Sequence, residues 1–381
     1  SLGVPVRQYK LVATWLGEKV TRAKLNGRLF SRSPLSDLIE FEFIAIAVLW
    51  TGFILLDGFD LGLGVLFPFA SDTEKDRMVA SIGPFWDANE TWLVLAIGIL
   101  LVAFPAAHGV ILTALYLPVA VMLVGLILRG VAFEYRSKHP SSSWRNTFDW
   151  MAAIGSFLPS LVLGVGFANF VRGLAVGPHD VPGGGTAPLV TTSFWGLFTP
   201  FALVGGVLFV ILFCAHGAGF IALKTRGPIH ERASRKAVRL GWIAAVLMAA
   251  WAIMLNTMYA PETSVRHTLT WILGLLAAIL VAVAATSQKK GSDGLAFVLN
   301  GLAIAVMMVT MFIKMWINIG FVPEGIEFDM WIASSSPMTL KIMTIAACVF
   351  VPIVLAYQAW SYWVFSKRLS REAISDNAVA A

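Results

Sequence analysis

An all-α, polytopic membrane protein is the fold class this sequence predicts, and three observations predict it. The 381-residue chain is 58% hydrophobic and only 13% charged, too little charge to cover a water-soluble domain of that size. Its apolar runs are long enough to cross a bilayer, which takes about 20 residues in a helix. Its 28 Lys and Arg residues fall mostly in alternate loops, as they do when one face of a membrane retains positive charge. In lipid the backbone polar groups must be satisfied within the segment, so each apolar run reads as a helix.

Taken in order, residues 1–36 carry Arg7, Lys10, Lys19, Arg22, Lys24, Arg28 and Arg32. They hold no apolar stretch long enough for a signal peptide. Leu11, Trp15, Leu16 and Val20 make the segment weakly amphipathic, and it reads as an extension outside the fold. Uncharged runs then predict spans near 39–58, 84–105, 109–128, 150–171, 200–223, 240–260, 269–286, 295–319 and 339–365. About nine transmembrane helices follow. Lys75, Arg77, Arg136, Lys138, Arg145, Lys224, Arg226 and Arg232 fall on one face, which the charge bias makes cytoplasmic, with the N-terminus outside and the C-terminus inside. The organisation expected is a first helical bundle over 37–172, an external Gly/Pro-rich loop over 173–193, a second bundle with the last helix over 194–372, and a cytoplasmic tail over 373–381. The net charge of +6 is thus topological, and nucleic acid is not an expected partner.

Several chemistries find no support. There is no Walker loop, no HExxH and no CxxC. Cys214 and Cys348 lie inside predicted spans and read as buried, inert thiols. His108 sits in an FPAAHG turn and His216 in the middle of the fifth span. A lone intramembrane His is more often structural than a ligand, and no axial-ligand pair is visible. No metal site is expected in this chain. Gly58 and Gly62 form a GxxxG pair that reads as close helix packing.

The carboxylates say more. Asp57 and Asp60 fall at the inner end of the first predicted span, Asp87 and Glu90 at the inner start of the second. Arg129 and Glu134 close the third, and Asp149 opens the fourth. Each has an ordinary explanation. An acid in a first helical turn is favoured by the dipole at about 0.3–1 kcal/mol, Gly83-Pro84 reads as a helix start with Pro at N1, and Glu134 with Lys138 makes an i,i+4 pair. Asp57 and Asp60, at a helix C-terminus, are opposed by the dipole, with Arg129 placed to offset part of their charge. Ionisable groups at membrane depth usually face a bundle interior or a water-filled path. Together they read as a polar vestibule open to the cytoplasm.

The motifs DGFDLGLGVLFPF (57–69), GPFWDANETWLV (83–94), ALYLPVAVMLVGLILRGVAFEYRSK (114–138) and WRNTFDW (144–150) resemble subunit II of cytochrome bd-type quinol oxidases, most of all the cyanide-insensitive branch. FIALKTRGPI (220–229) and the closing MTLKIMTIAACVFVPIVLAYQAWSYW (338–363) are similar to the same family, so the resemblance runs from about 37 to about 372. It implies two four-helix bundles plus one peripheral helix. It implies a partner, subunit I, that carries haem b and haem d (or a further haem b). Ubiquinol is the implied substrate, with a structural quinone in some members and a small single-helix subunit as a further candidate partner. By position, Asp60 and Asp87 match acids tied to haem-site integrity and proton uptake. Asp149, Glu134 and Arg129 match further polar positions near that route, and Trp92 matches an aromatic near the quinone or the proton path. Ala88 and Ile332 depart from the family pattern, which has Gly and often an acid there.

The function expected is therefore subunit II of a terminal quinol oxidase in a bacterial inner membrane. It would support reduction of oxygen to water in the haem-bearing partner and contribute a proton path from the cytoplasm through Asp87, Asp60, Asp57, Glu134, Asp149 and Glu90, with Arg129 and Trp92 in support. The alternative is a secondary transporter using intramembrane carboxylates, against which no inverted repeat of Gly/Pro-broken helices is seen.

Overall fold

The computed structural model describes residues 34–180, 185–260 and 263–365. Residues 1–33 of the expected N-terminal extension and the C-terminal tail lie outside these residues, while Pro34, Leu35 and Ser36, expected in the extension, open the first helix. Eleven α-helices follow in chain order: α1 (Pro34–Leu66), α2 (Asp72–Ile82), α3 (Trp86–Ala103), α4 (Pro105–Ala114), α5 (Tyr116–Tyr135), α6 (Ser142–Arg172), α7 (Pro200–Lys224), α8 (Gly227–Met258), α9 (Ser264–Lys289), α10 (Asp293–Met315) and α11 (Pro337–Val364). Among the described residues nine are long and apolar enough to cross a membrane: all but α2 and α4.

The departures from the sequence reading have local causes. The expected third span at 109–128 is two helices, α4 and α5, with Leu115 between them. Pro118 has no N–H for the Ala114 carbonyl four residues back, so a continuous helix could not close its ladder there. His108 accordingly lies inside α4 rather than in a turn. Residues 72–82, expected as loop, form the amphipathic helix α2. Its start is fixed by a capping box in which Ser71 and Glu74 bond each other's backbone N–H. Gly83 caps the end of α2 and Pro84 lies in the turn that follows, so the Gly-Pro pair does not begin α3; Phe85 is its N-cap, and Asp87 is in its first turn. Cys214 is buried, but Cys348 is exposed on the outward surface of α11 rather than packed inside.

The largest correction concerns α1. It continues to Leu66, so Asp57 and Asp60 are interior to a 33-residue helix and not at its C-terminus. The residues that carry it onward include Gly62, where an added Cβ would stand 1.8 Å from the Phe213 carbonyl oxygen of α7. Only a glycine lets the two backbones approach this closely. The GxxxG pair is thus a packing feature, with Gly58 lying under the Phe213 ring.

Helix α1 lies against α3, α6, α7, α10 and α11, while α7 also packs on α6, α8 and α10. α8, α9 and α10 pack in sequence, each against the next. At one end, β1 (Leu174–Asp180), β2 (Thr186–Val190) and β3 (Phe321–Pro323) form a sheet in the order β2-β1-β3. β1 is antiparallel to β2, with Val176 opposite Val190, and parallel to β3, with Leu174 opposite Phe321. The expected loop region is therefore partly a small sheet that ties the α6–α7 connection to the α10–α11 connection. Gly173 turns the chain from α6 into β1 at φ +92°, a conformation open to glycine at little cost.

Candidate functional site

The interior next to α1 holds an ion cluster. Arg129 of α5 is among the largest fully buried side chains in the molecule. Its Nη2 donates to Asp57 Oδ1 at 2.9 Å and also to Glu90 Oε1. Asp57 is fully buried, whereas about a quarter of the Glu90 side chain remains exposed. One helical turn beyond Asp57, the buried Asp60 accepts from Asn89 Nδ2 at 2.8 Å. That same nitrogen donates to the Leu56 carbonyl at 3.1 Å, and the Asn89 oxygen accepts from Gln358 Nε2 at 2.9 Å and Tyr362 OH at 3.2 Å. Asn89 therefore ties α1 to α3 and α11 at one point.

The cluster is not saturated by the chain's own groups. Asp57 Oδ2, Asp60 Oδ1 and the Nε and Nη1 of Arg129 make no hydrogen bond within it. Buried polar atoms of this kind are normally paired with protein or ordered water. One guanidinium faces three carboxyl groups, so the site can carry exchangeable protons on the carboxyls in excess.

A second cluster, at the end of α5, is built differently. Arg136 Nε donates to Asp149 Oδ1 and its Nη1 to Asp76 Oδ1, each at 2.6 Å. Lys75 Nζ donates to Asp149 Oδ2, also at 2.6 Å. The cluster joins α2, the end of α5 and the start of α6. Glu74 of α2 further accepts from Arg232 of α8 at 2.6 Å. Burial pushes the Glu74 carboxyl up, but the Ser71 N–H, Arg232 and the Ser71 hydroxyl together hold it below the usual carboxylate range.

The expected site residues thus separate. Asp57, Asp60, Glu90 and Arg129 come together. Asp149 belongs to the second cluster. Asp87 stands on the exposed side of α3, one turn before Glu90. Glu134 is exposed and pairs with Lys138 at 3.5 Å. Trp92 is buried against Gly52 of α1, with its indole N–H unpaired. The sequence reading missed Asn89, Gln358 and Tyr362; a neutral polar residue on each of two apolar helices was the available signal. It also missed the fully buried Glu42, which accepts from Thr344 at 2.9 Å.

Among the described residues no three His, Cys, Asp or Glu side chains gather as metal ligands. The buried His216 ring is stacked on Phe297 at 4.5 Å, with Phe59 edge-on at 5.9 Å, which leaves no room for a macrocycle on that face.

Among the described residues, nine membrane-length helices and a buried carboxylate–guanidinium cluster between α1, α3 and α5 define a multi-pass membrane protein with an ionisable interior. Within that class, the family model described as cytochrome bd terminal oxidase subunit II matches residues 38–365. The chain is 33% identical over 342 residues to the cytochrome bd ubiquinol oxidase subunit 2 of Bacillus subtilis, covering 89% of this chain and 98% of that protein. It is 30% identical over 366 residues to the cytochrome bd-I ubiquinol oxidase subunit 2 of Escherichia coli, covering 88% and 96%. A chain from the structure of the bd oxidase of Geobacillus thermodenitrificans superposes with a TM-score of 0.63 at 16% identity, over 86% of this chain and all of that one, a likeness of fold. The chain belongs to the cytochrome bd terminal oxidase subunit II family, and so to an oxidoreductase complex.

Proposed function

We propose that this subunit carries protons from the cytoplasmic face toward the oxygen-reducing centre of a haem-bearing partner subunit, using the cluster around Arg129. The observation that supports it is the position of Glu90. It is bonded to the buried Arg129, still partly exposed, and one turn from the exposed Asp87. On a helix that spacing places Asp87 and Glu90 on one face, so a proton taken up at Asp87 has a second carboxyl next to it and the Asp57–Arg129 pair beyond. Asn89 holds Asp60 in line with that pair and fixes its rotamer from the α11 side. Trp92, against Gly52, closes the apolar side.

In this reading haem b and haem d, or a second haem b, sit in the partner and supply electron transfer and oxygen reduction. Ubiquinol is the substrate. The N-terminus lies outside, the C-terminus is cytoplasmic, and the membrane is the bacterial inner membrane. Glu134, paired with Lys138 at the surface, and Asp149, held by the buried Arg136, stand off this line and serve the cytoplasmic end of the fold.

The test uses the assembled oxidase with Asp87→Asn and Glu90→Gln. Quinol-driven oxygen consumption and proton uptake are expected to fall about 10-fold or more in each, a loss typical of a removed proton-transfer group, with the protein still assembled. Wild-type turnover together with wild-type haem spectra in both variants would remove these carboxyls from the mechanism.

A further inference from the structure

The region enclosed by α7, α8, α9 and α10 contains a cavity that the proton path above does not use. His216 and Asn300 line it at its deep end and Gln288 at its other end, with Gly219 and Ala285 between them. The volume open to the centres of water molecules is about 20 Å³, above the ~10–15 Å³ that one water needs. His216 is 1% exposed; one ring nitrogen faces the Leu55 carbonyl of α1 and the other has no partner. Asn300 is 6% exposed and its amide nitrogen is likewise unpaired. Two side chains that each carry an unpaired polar atom and line one small space are costly if that space is dry, at about 1–3 kcal/mol for each unsatisfied group.

The cavity also has an approach. Gln288 Nε2 donates to Asp293 Oδ1 at 2.8 Å and to Ser234 Oγ at 3.1 Å. Asp293 lies 3.7 Å from His230 Nδ1, and about a quarter of the His230 side chain is exposed. Polar groups therefore run from the surface at the α7–α8 and α9–α10 turns to the cavity mouth. The small side chains of Gly219, Gly241, Ala284 and Ala285 keep the space between open.

We infer that this cavity is a water-binding site: one or two waters bridge His216, Asn300 and Gln288 and exchange with the aqueous face past Asp293 and His230. His216 then stands at the blind end of a hydrated inlet, separate from the Arg129 cluster and set against α1 at Leu55 and Phe59. The ligand is water and not quinone or haem, because the space admits nothing larger.

Radiolytic hydroxyl-radical labelling of the intact oxidase complex, read by peptide mass spectrometry, tests it, since radicals formed at bound water oxidise the side chains beside that water. Corrected for intrinsic reactivity, His216 is expected to label several-fold faster than Phe209 and Phe213, which are equally buried on the same helix. Gly219→Ala adds a methyl 4.0 Å from Gln288 Oε1, into the cavity and without a clash, and is expected to bring His216 down to the Phe213 rate. His216 labelling no faster than Phe213 in the wild-type complex would show a dry cavity and overturn the inference. Unchanged His216 labelling in Gly219→Ala, in a complex of wild-type oxygen consumption, would place the water elsewhere and do the same.

Discussion

Arg129 of α5 and Arg136, which follows the last residue of α5, lie about two helical turns apart and each is buried among carboxylates, yet the two surroundings differ in one respect. Around Arg136 both oxygens of the buried Asp149 are held, by Arg136 and Lys75, Asp76 takes a second guanidinium nitrogen, and the third, Nη2, makes no hydrogen bond but faces Asp72 at 3.6 Å. Asp72 and Asp76 are largely exposed, so water screens the remaining charge. Around Arg129 one nitrogen serves both Asp57 and Glu90, and four polar atoms of the cluster are left over. A network whose buried carboxylate is paired on both oxygens fixes helices relative to one another. One that leaves buried carboxylate oxygens unpaired at membrane depth is costly to keep, which supports the proposal of proton chemistry at Arg129 and a structural role for Arg136.

The comparison breaks most sharply by removing each arginine in turn. Arg129→Met leaves Asp57 buried without its cation, a change that costs about 3–5 kcal/mol. The expected outcome is loss of folded complex, seen as failure of the haem-bearing partner to co-purify. Arg136→Met removes charge-assisted bonds nearer the surface, worth about 1.5–3 kcal/mol. It is expected to lower the thermal midpoint while oxygen consumption per assembled complex stays at the wild-type level. Equal losses of turnover per complex in the two variants would abolish the distinction.

A smaller effect sharpens it. Asn89→Leu removes the donor to Asp60 and the acceptor for Gln358 and Tyr362, leaving buried groups unpaired at about 1–3 kcal/mol. Turnover should fall because Asp60 loses its orientation, while the Asp57–Arg129 pair persists. Tyr362→Phe removes one bond to the same oxygen and should cost about 1 kcal/mol or less, with turnover near wild type. If Tyr362→Phe is as damaging as Asn89→Leu, the hydroxyl and not the amide organises the site. Steady-state oxygen uptake with thermal unfolding of the same preparations separates the outcomes.

What the sequence made legible follows from which forces are periodic or charged. The nine spans were readable because lipid demands uninterrupted apolar runs, and the association of Arg129 with Asp57 because charges inside such runs must find one another. Asn89, Gln358 and Tyr362 were not readable, since a neutral amide or phenol in an apolar helix announces neither its face nor its partner, and these meet across 269 and 273 residues of sequence. The end of α1 was misplaced for a related reason. Asp57 and Asp60 looked like the polar end of a span, but their charge is met by Arg129 and Asn89 from neighbouring helices, so the helix runs on. The break at Leu115 was carried by Pro118, a residue that apolar windows count as permissive.

The smallest expected effect lies at the cap of α2. Glu74 bonds the Ser71 N–H at 2.8 Å and its hydroxyl at 3.0 Å, and it takes Arg232 of α8 on its other oxygen. Because these partners outweigh burial and hold the folded carboxyl below its ordinary value of 4.5, the sign of the pH dependence is fixed. The stabilisation is fully present above the unfolded value and disappears as pH falls through the folded one, where the protonated acid no longer attracts Arg232. A cap of this kind is worth about 1 kcal/mol, and Arg232 adds little because it is about half exposed. Limited proteolysis across residues 70–83 should therefore accelerate modestly below about pH 4.5, in the carboxylate range. Glu74→Gln, which keeps an acceptor for the Ser71 N–H, should cleave slightly faster at neutral pH and lose that acid-induced step. A step of undiminished size in Glu74→Gln would show that the acid sensitivity does not arise at the cap of α2.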